Sequence, residues 1–142
     1  MKPKVLGFYG ESNIGKTTLI TKLIERLTLE GINVATVKIT DKNIELDVNG
    51  KDTWKHADAG SNLVVLSSAS ETDYLVKQRQ VIDDIVENIS NIGRFDIILI
   101  EGANDKNTPK VKLGNIGPRD NTIYTYNEDF EKLLEFVKKL IG

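Results

Sequence analysis

The sequence predicts a three-layer α/β/α domain with a mostly parallel sheet, on three observations. Strand-like apolar runs alternate with amphipathic helical segments along the 142 residues, the order in which βαβ units are built. The run Ile97-Ile98-Leu99-Ile100 is continuously apolar, as expected of a strand buried on both faces of a parallel sheet. A glycine-bearing loop, residues 10–17, stands between the first strand and the first helix. In sheets of this kind ligands sit at the carboxyl ends of the strands, where that loop lies. Crossovers between the parallel strands are expected to be right-handed.

The loop reads Gly10-Glu11-Ser12-Asn13-Ile14-Gly15-Lys16-Thr17, a complete G-x-x-x-x-G-K-S/T phosphate-binding motif, which places the domain among the P-loop NTPases. Its glycines let the backbone curl so that successive N–H groups converge on a phosphate. The helix beginning near Lys16 adds the positive end of its dipole. Lys16 is expected to reach the β- and γ-phosphates, and the Thr17 hydroxyl to ligate Mg²⁺. Gly10, Ser12, Asn13, Ile14, Gly15, Lys16, Thr17 and Thr18 form the expected nucleotide-binding set. An ordinary glycine turn would give no reason for four fixed positions at this spacing between a strand and a helix.

The other elements follow in order. Residues 5–9 are the first strand, and Leu19, Ile20, Leu23, Ile24 and Leu27 make one apolar face of the first helix, which stops at Gly31. Residues 33–40 (NVATVKIT) alternate and are rich in β-branched side chains, a strand. Residues 41–49 read as a loop, and a short helix then closes near Gly60. Residues 62–67 (NLVVLS) read as a buried strand and 73–76 as another short one. Val81, Ile82, Ile85, Val86 and Ile89 mark an amphipathic helix ending before Gly93. After the strand at 95–100 come a loop at 102–109 and short strands at 110–113 and 122–126. Asn127 is the expected N-cap of a last helix carrying Phe130, Leu133, Leu134, Val137 and Leu140.

Composition narrows the function. A chain of this length is read as one domain, residues 1–142, with a single core. Nineteen basic and 21 acidic residues give a net charge of −2, which offers no global attraction to nucleic acid or to a membrane. The absence of cysteine excludes disulfides, thiolate-bound zinc and a cysteine nucleophile. The apolar runs are too short to span a bilayer, and no signal-peptide core follows Met1-Lys2-Pro3-Lys4, so a cytoplasmic location is the expectation.

Further chemistry gathers at three places. Glu101 ends an apolar run in the manner of a loose Walker B carboxylate, which holds or orients a Mg²⁺-bound water; the plainer alternative is an acid marking where the strand meets solvent. Asp47 and Asp52 follow the second strand, where P-loop proteins place a nucleotide-responsive loop; each is equally credible as a turn or cap residue. Trp54 reads as packing or as a ring stacked on a base, and His56 as a packed or surface residue. Lys106, Lys110, Lys112 and Arg119 form a modest basic cluster, suited to a second anionic ligand or to a solvated face.

Together these residues resemble the MobB-type adapter proteins, molybdopterin-guanine dinucleotide biosynthesis protein B. The resemblance rests on Gly10 to Leu19, on Asp47 with Gly50-Lys51-Asp52-Thr53-Trp54-Lys55-His56-Ala57-Asp58-Ala59-Gly60, on Phe95 to Gly102, and on Pro109-Lys110-Val111. The stretch from Gly50 to Gly60 is the discriminating part. The resemblance implies a Mg²⁺-dependent, GTP-binding homodimer with weak GTPase activity. It would assist the guanylyltransferase that attaches GMP to the molybdenum cofactor, and the resemblance leaves open whether molybdopterin is itself a ligand. It further implies that Gly15, Lys16, Thr17 and Thr18 meet the phosphates and metal, with Asp47 and Glu101 near the metal. The expected catalytic residues are therefore Lys16, Glu101 and Asp47, and the expected metal ligands Thr17, Glu101 and Asp47. The chain departs from the family where Lys38 is followed by Ile39 rather than histidine, and where Lys112 replaces an acidic residue. It also lacks the N-K-x-D motif that reads guanine.

Two other function classes compete with the adapter. A small nucleotide or metabolite kinase needs an acceptor pocket and usually a phosphate-clamping lid, yet Arg26, Arg79, Arg94 and Arg119 are scattered. A nucleotide-binding subunit that has lost hydrolysis would differ from both in showing no turnover.

Overall fold

A computed structural model describes residues 2–11 and 15–142. In chain order the elements are β1 (Lys4–Gly10), α1 (Lys16–Leu29), β2 (Val34–Lys38), α2 (Asp52–Asp58), β3 (Leu63–Ser67), β4 (Thr72–Val76), α3 (Ile82–Ile92), β5 (Ile97–Glu101), β6 (Lys110–Leu113), β7 (Thr122–Tyr126) and α4 (Phe130–Ile141). The chain divides into two compact units: residues 1–40 with 82–142, and residues 41–81.

The larger unit holds a five-stranded sheet in the order β2-β5-β1-β6-β7, and every neighbouring pair is parallel. All five carboxyl ends therefore lie along one edge. Side chains alternate across the sheet with a period of two. Leu6, Phe8, Ile97 and Leu99 face α1 and α4, packing with Leu23, Leu27, Leu133 and Val137, all buried. Ile98 and Ile100 face the other way, toward Ile82, Val86 and Ile89 of α3. Because β5 has helices on both sides, its apolar run is continuous, as the sequence implied. The three-layer α/β/α arrangement with a parallel sheet is thus the observed one.

The unit of residues 41–81 contains α2 and a two-stranded antiparallel sheet, β3 with β4. Residues 63–67, expected to be a buried strand, are instead mostly exposed; Val64 is the buried member. A short run of apolar residues looks the same in sequence whether helices cover it or not. Two helix starts also move. Asp129, not Asn127, caps α4, its carboxylate accepting from the Lys132 N–H at 3.2 Å. Lys51 occupies the N-cap of α2, with Asp52 already inside the first turn. Gly31, at φ +79°, follows α1 as expected.

Candidate functional site

The carboxyl edge of the sheet brings three elements together: the end of β1, the start of α1 and the end of β5. Gly15 sits at the N-cap of α1 with φ +91°, a left-handed conformation that glycine adopts without steric cost. The first turn of α1 carries no acidic side chain, so its unpaired N–H groups remain suited to an anion. The Lys16 ammonium donates to the Gly10 carbonyl at 2.9 Å, tying the start of α1 to the end of β1. Ser12, Asn13 and Ile14, expected members of the phosphate loop, lie outside the described residues.

Glu101 meets this start of α1 from the neighbouring strand. The Thr17 hydroxyl donates to Glu101 Oε1 at 2.8 Å. The Lys38 ammonium stands 3.8 Å from Oε2, and the Glu101 side chain is only 16% exposed. The register explains the grouping: Phe8 pairs with Glu101 on one side, and Lys38 pairs with Glu101 on the other. Gly102 locks the strand ends together. Its φ is +91°, and a Cβ there would lie 2.5 Å from the Ile39 carbonyl oxygen. Backbone bonds from Ile39 N to Glu101 O and from Gly102 N to Phe8 O, both 2.9 Å, hold the same corner. A cavity of about 200 Å³ opens between α1 and β2, lined by Thr17, Thr21, Thr36, Lys38 and Glu101 with apolar walls.

Of the expected residues, Gly10, Gly15, Lys16, Thr17 and Glu101 share this corner, and Thr18 is exposed on the first turn of α1. Asp47 lies in the unit of residues 41–81. Its Oδ1 accepts from Val48 N–H at 2.9 Å and from the Thr53 hydroxyl at 3.1 Å. Its Oδ2 is buried without a hydrogen-bond partner among the described residues.

These donors suit a hard cation. A hydroxyl beside a carboxylate is oxygen chemistry of the kind Mg²⁺ takes, with substrate phosphates and water completing its octahedron. Among the described residues no group of three or more His, Asp or Glu is placed to hold a metal ion by itself.

Two members of the basic cluster are engaged within the fold. Lys110 is fully buried, its ammonium donating to the carbonyls of Asp105, Thr108 and Asp120, with Asp105 Oδ1 at 3.7 Å. Arg119 donates to the Ala103 carbonyl at 2.8 Å and lies over the Tyr9 ring at 4.8 Å. Both cations organise loops rather than face a second ligand. Trp54 is half-buried beside Glu45, Ala57, Asp58 and Lys77, and His56 is exposed. In the sequence Lys38 stands out only as a family position; its pairing with Glu101 follows from the sheet register. Among the described residues no helix is long and apolar enough to cross a membrane.

Comparison with known proteins adds an independent line. The family model described as MobB, molybdopterin guanine dinucleotide synthesis protein B, matches residues 5–138. The chain is 32% identical over 110 residues to the molybdopterin-guanine dinucleotide biosynthesis adapter protein of Haemophilus influenzae, covering 77% of this chain and 62% of that protein. It is 30% identical over 114 residues to the putative adapter protein of the same description from Methanocaldococcus jannaschii, covering 78% of this chain and 47% of that protein. The matched part therefore spans roughly half to two-thirds of those relatives. The crystal structure of Bacillus subtilis MobB superposes with a TM-score of 0.76 at 18% identity, over 98% of both chains, which shows a shared fold.

Proposed function

The chain belongs to the MobB family, and from that membership we propose that it is a GTP-binding adapter in molybdopterin guanine dinucleotide biosynthesis, at most a slow GTPase. The observation that carries this reading is the Thr17–Glu101 hydrogen bond at the start of α1, because it joins the last residue of a complete phosphate-loop motif to a carboxylate. In this proposal the α1 N–H groups and Lys16 bind and orient the β- and γ-phosphates. Thr17 and Glu101 would hold Mg²⁺, with Asp47 contributing its free oxygen directly or through water. The ion would supply neutralisation of phosphate charge. Hydrolysis is expected to be slow, because His56 is exposed and Glu101 is engaged by Thr17 and Lys38.

The same proposal makes the protein a cytoplasmic homodimer that works with the molybdenum cofactor guanylyltransferase. Support for self-association comes from one face of the β3–β4 hairpin. There the cross-strand pairs Leu63–Val76 and Val65–Tyr74 are 43–60% exposed, an apolar strip that a second copy could cover. Guanine preference follows the family, since the chain carries no N-K-x-D motif. Calorimetric titration with non-hydrolysable GTP and ATP analogues in Mg²⁺, beside Lys16→Ala, tests the reading. Guanine-selective binding lost in the variant is the expected result; equal or adenine-selective binding would overturn it.

A further inference from the structure

Lys38 occupies a place that its bond to Glu101 does not explain. At 3.8 Å the two form an ion pair without a hydrogen bond, and the lysine side chain is 68% exposed. At that distance, with an exposed ammonium and no hydrogen bond, such a pair contributes little to stability. Yet the position of Lys38 is tightly specified. Its Cα is paired in register with that of Glu101, and the next residue is pinned by the Ile39–Glu101 backbone bond and by the close approach of Gly102. The fold thus holds an exposed cation on a firmly placed strand end, the arrangement that suits a binding group.

The direction it serves follows from the site. Glu101 is bracketed, Oε1 by Thr17 and Oε2 by Lys38. Were Thr17 and Glu101 to hold Mg²⁺, as proposed above, the terminal phosphate of a bound nucleotide would come to lie beside Glu101. Lys38 lines the cavity of about 200 Å³ that opens there, together with Thr17, Thr21 and Thr36. Lys16 is the other lysine at this corner, and it reaches from the loop side.

We propose that Lys38 is a specificity-determining contact for the terminal phosphate: its ammonium exchanges Glu101 for the γ-phosphate of a bound nucleoside triphosphate and so separates triphosphate from diphosphate. The proposal rests on the nucleotide-binding reading above. A charged hydrogen bond made to one ligand and not to the other discriminates by roughly 10- to 100-fold.

The test is calorimetric titration of wild type, Lys38→Ala and Lys38→Arg with a non-hydrolysable GTP analogue and with GDP, at fixed Mg²⁺. Lys38→Ala is expected to weaken the triphosphate analogue by about 10- to 100-fold and GDP by less than about twofold. Lys38→Arg is expected to recover much of the loss. An exposed lysine is not needed for folding, and an unchanged melting temperature checks that. Equal losses for both nucleotides would make Lys38 a support for Glu101 alone, and no loss for either would make it a bystander; both overturn the proposal. Wild-type protein that binds neither nucleotide would instead refute the nucleotide-binding reading, and Lys38 with it, before any variant is compared.

Discussion

The Thr17 hydroxyl donates to Glu101 across 2.8 Å, joining two residues 84 positions apart in the chain. The bond exists because β5 lies beside β1 in register, which puts the end of one strand against the helix that leaves the other. It sets an acceptor-only carboxylate beside a hydroxyl at the start of α1. The first two predictions concern this corner.

Glu101→Gln keeps an oxygen for Thr17 and removes the charge. Folding stability should stay near wild type, whereas the Mg²⁺ concentration giving half-maximal nucleotide binding should rise about tenfold or more. Titrating Mg²⁺ at fixed nucleotide measures this. An unchanged requirement would mean that Glu101 does not hold the metal.

Gly102 and Gly50 offer a controlled comparison, because both have φ +91°. A Cβ at Gly102 would meet the Ile39 carbonyl oxygen at 2.5 Å, while one at Gly50 meets nothing within 4 Å. Gly50→Ala should cost only the left-handed strain, about 1–2 kcal/mol. Gly102→Ala adds a backbone displacement and should cost about 2–4 kcal/mol in all. Urea unfolding of both variants decides it; equal costs would show that the corner yields without strain.

Lys110→Met should be strongly destabilising. The substitution leaves the carbonyls of Asp105, Thr108 and Asp120 without their shared donor and Asp105 without its cation. Breaking a buried charged cluster from one side costs about 3–5 kcal/mol. Denaturant midpoints measure it, and a loss within about 1 kcal/mol, the scale of a surface substitution, would contradict the caged ammonium.

Asp105 predicts an acid dependence. Burial raises its pKa, but the Thr108 hydroxyl and N–H and the Lys110 charge outweigh that and hold it below the ordinary carboxylate value. The unfolded chain therefore binds the proton more readily, and stability rises with pH across the interval between the two values. The contribution is complete above about pH 4 and fades as pH falls through the depressed folded value. The stability gap between wild type and Asp105→Asn should be constant from about pH 5 to 8 and narrow below about pH 4. A gap that widened in acid would reverse the assigned direction.

Much of this architecture was legible in the sequence because its signals are local. The period of 3.6 residues in Leu19, Leu23 and Leu27, the apolar run at 97–100 and the loop motif each lie within one element. Burial was less legible. Val65 and Ile98 both sit in apolar runs, yet one is 46% exposed in a hairpin and the other is fully enclosed between sheet and helix. Helix starts moved by a residue or two because Asn127, Asp129 and Asp52 are all competent caps, and backbone geometry chooses among them.

By itself the sequence determined the alternation of elements, the phosphate-loop motif and the family, since these rest on residue type at short spacing. Only the tertiary structure decided that Glu101 meets Thr17 and Lys38, that Lys110 is enclosed as a loop staple, and that Gly102 must admit the Ile39 carbonyl. The physical reason is that pairing across a parallel sheet joins residues far apart in the chain. The period of two says which face a side chain takes, but strand order and register say what it meets there.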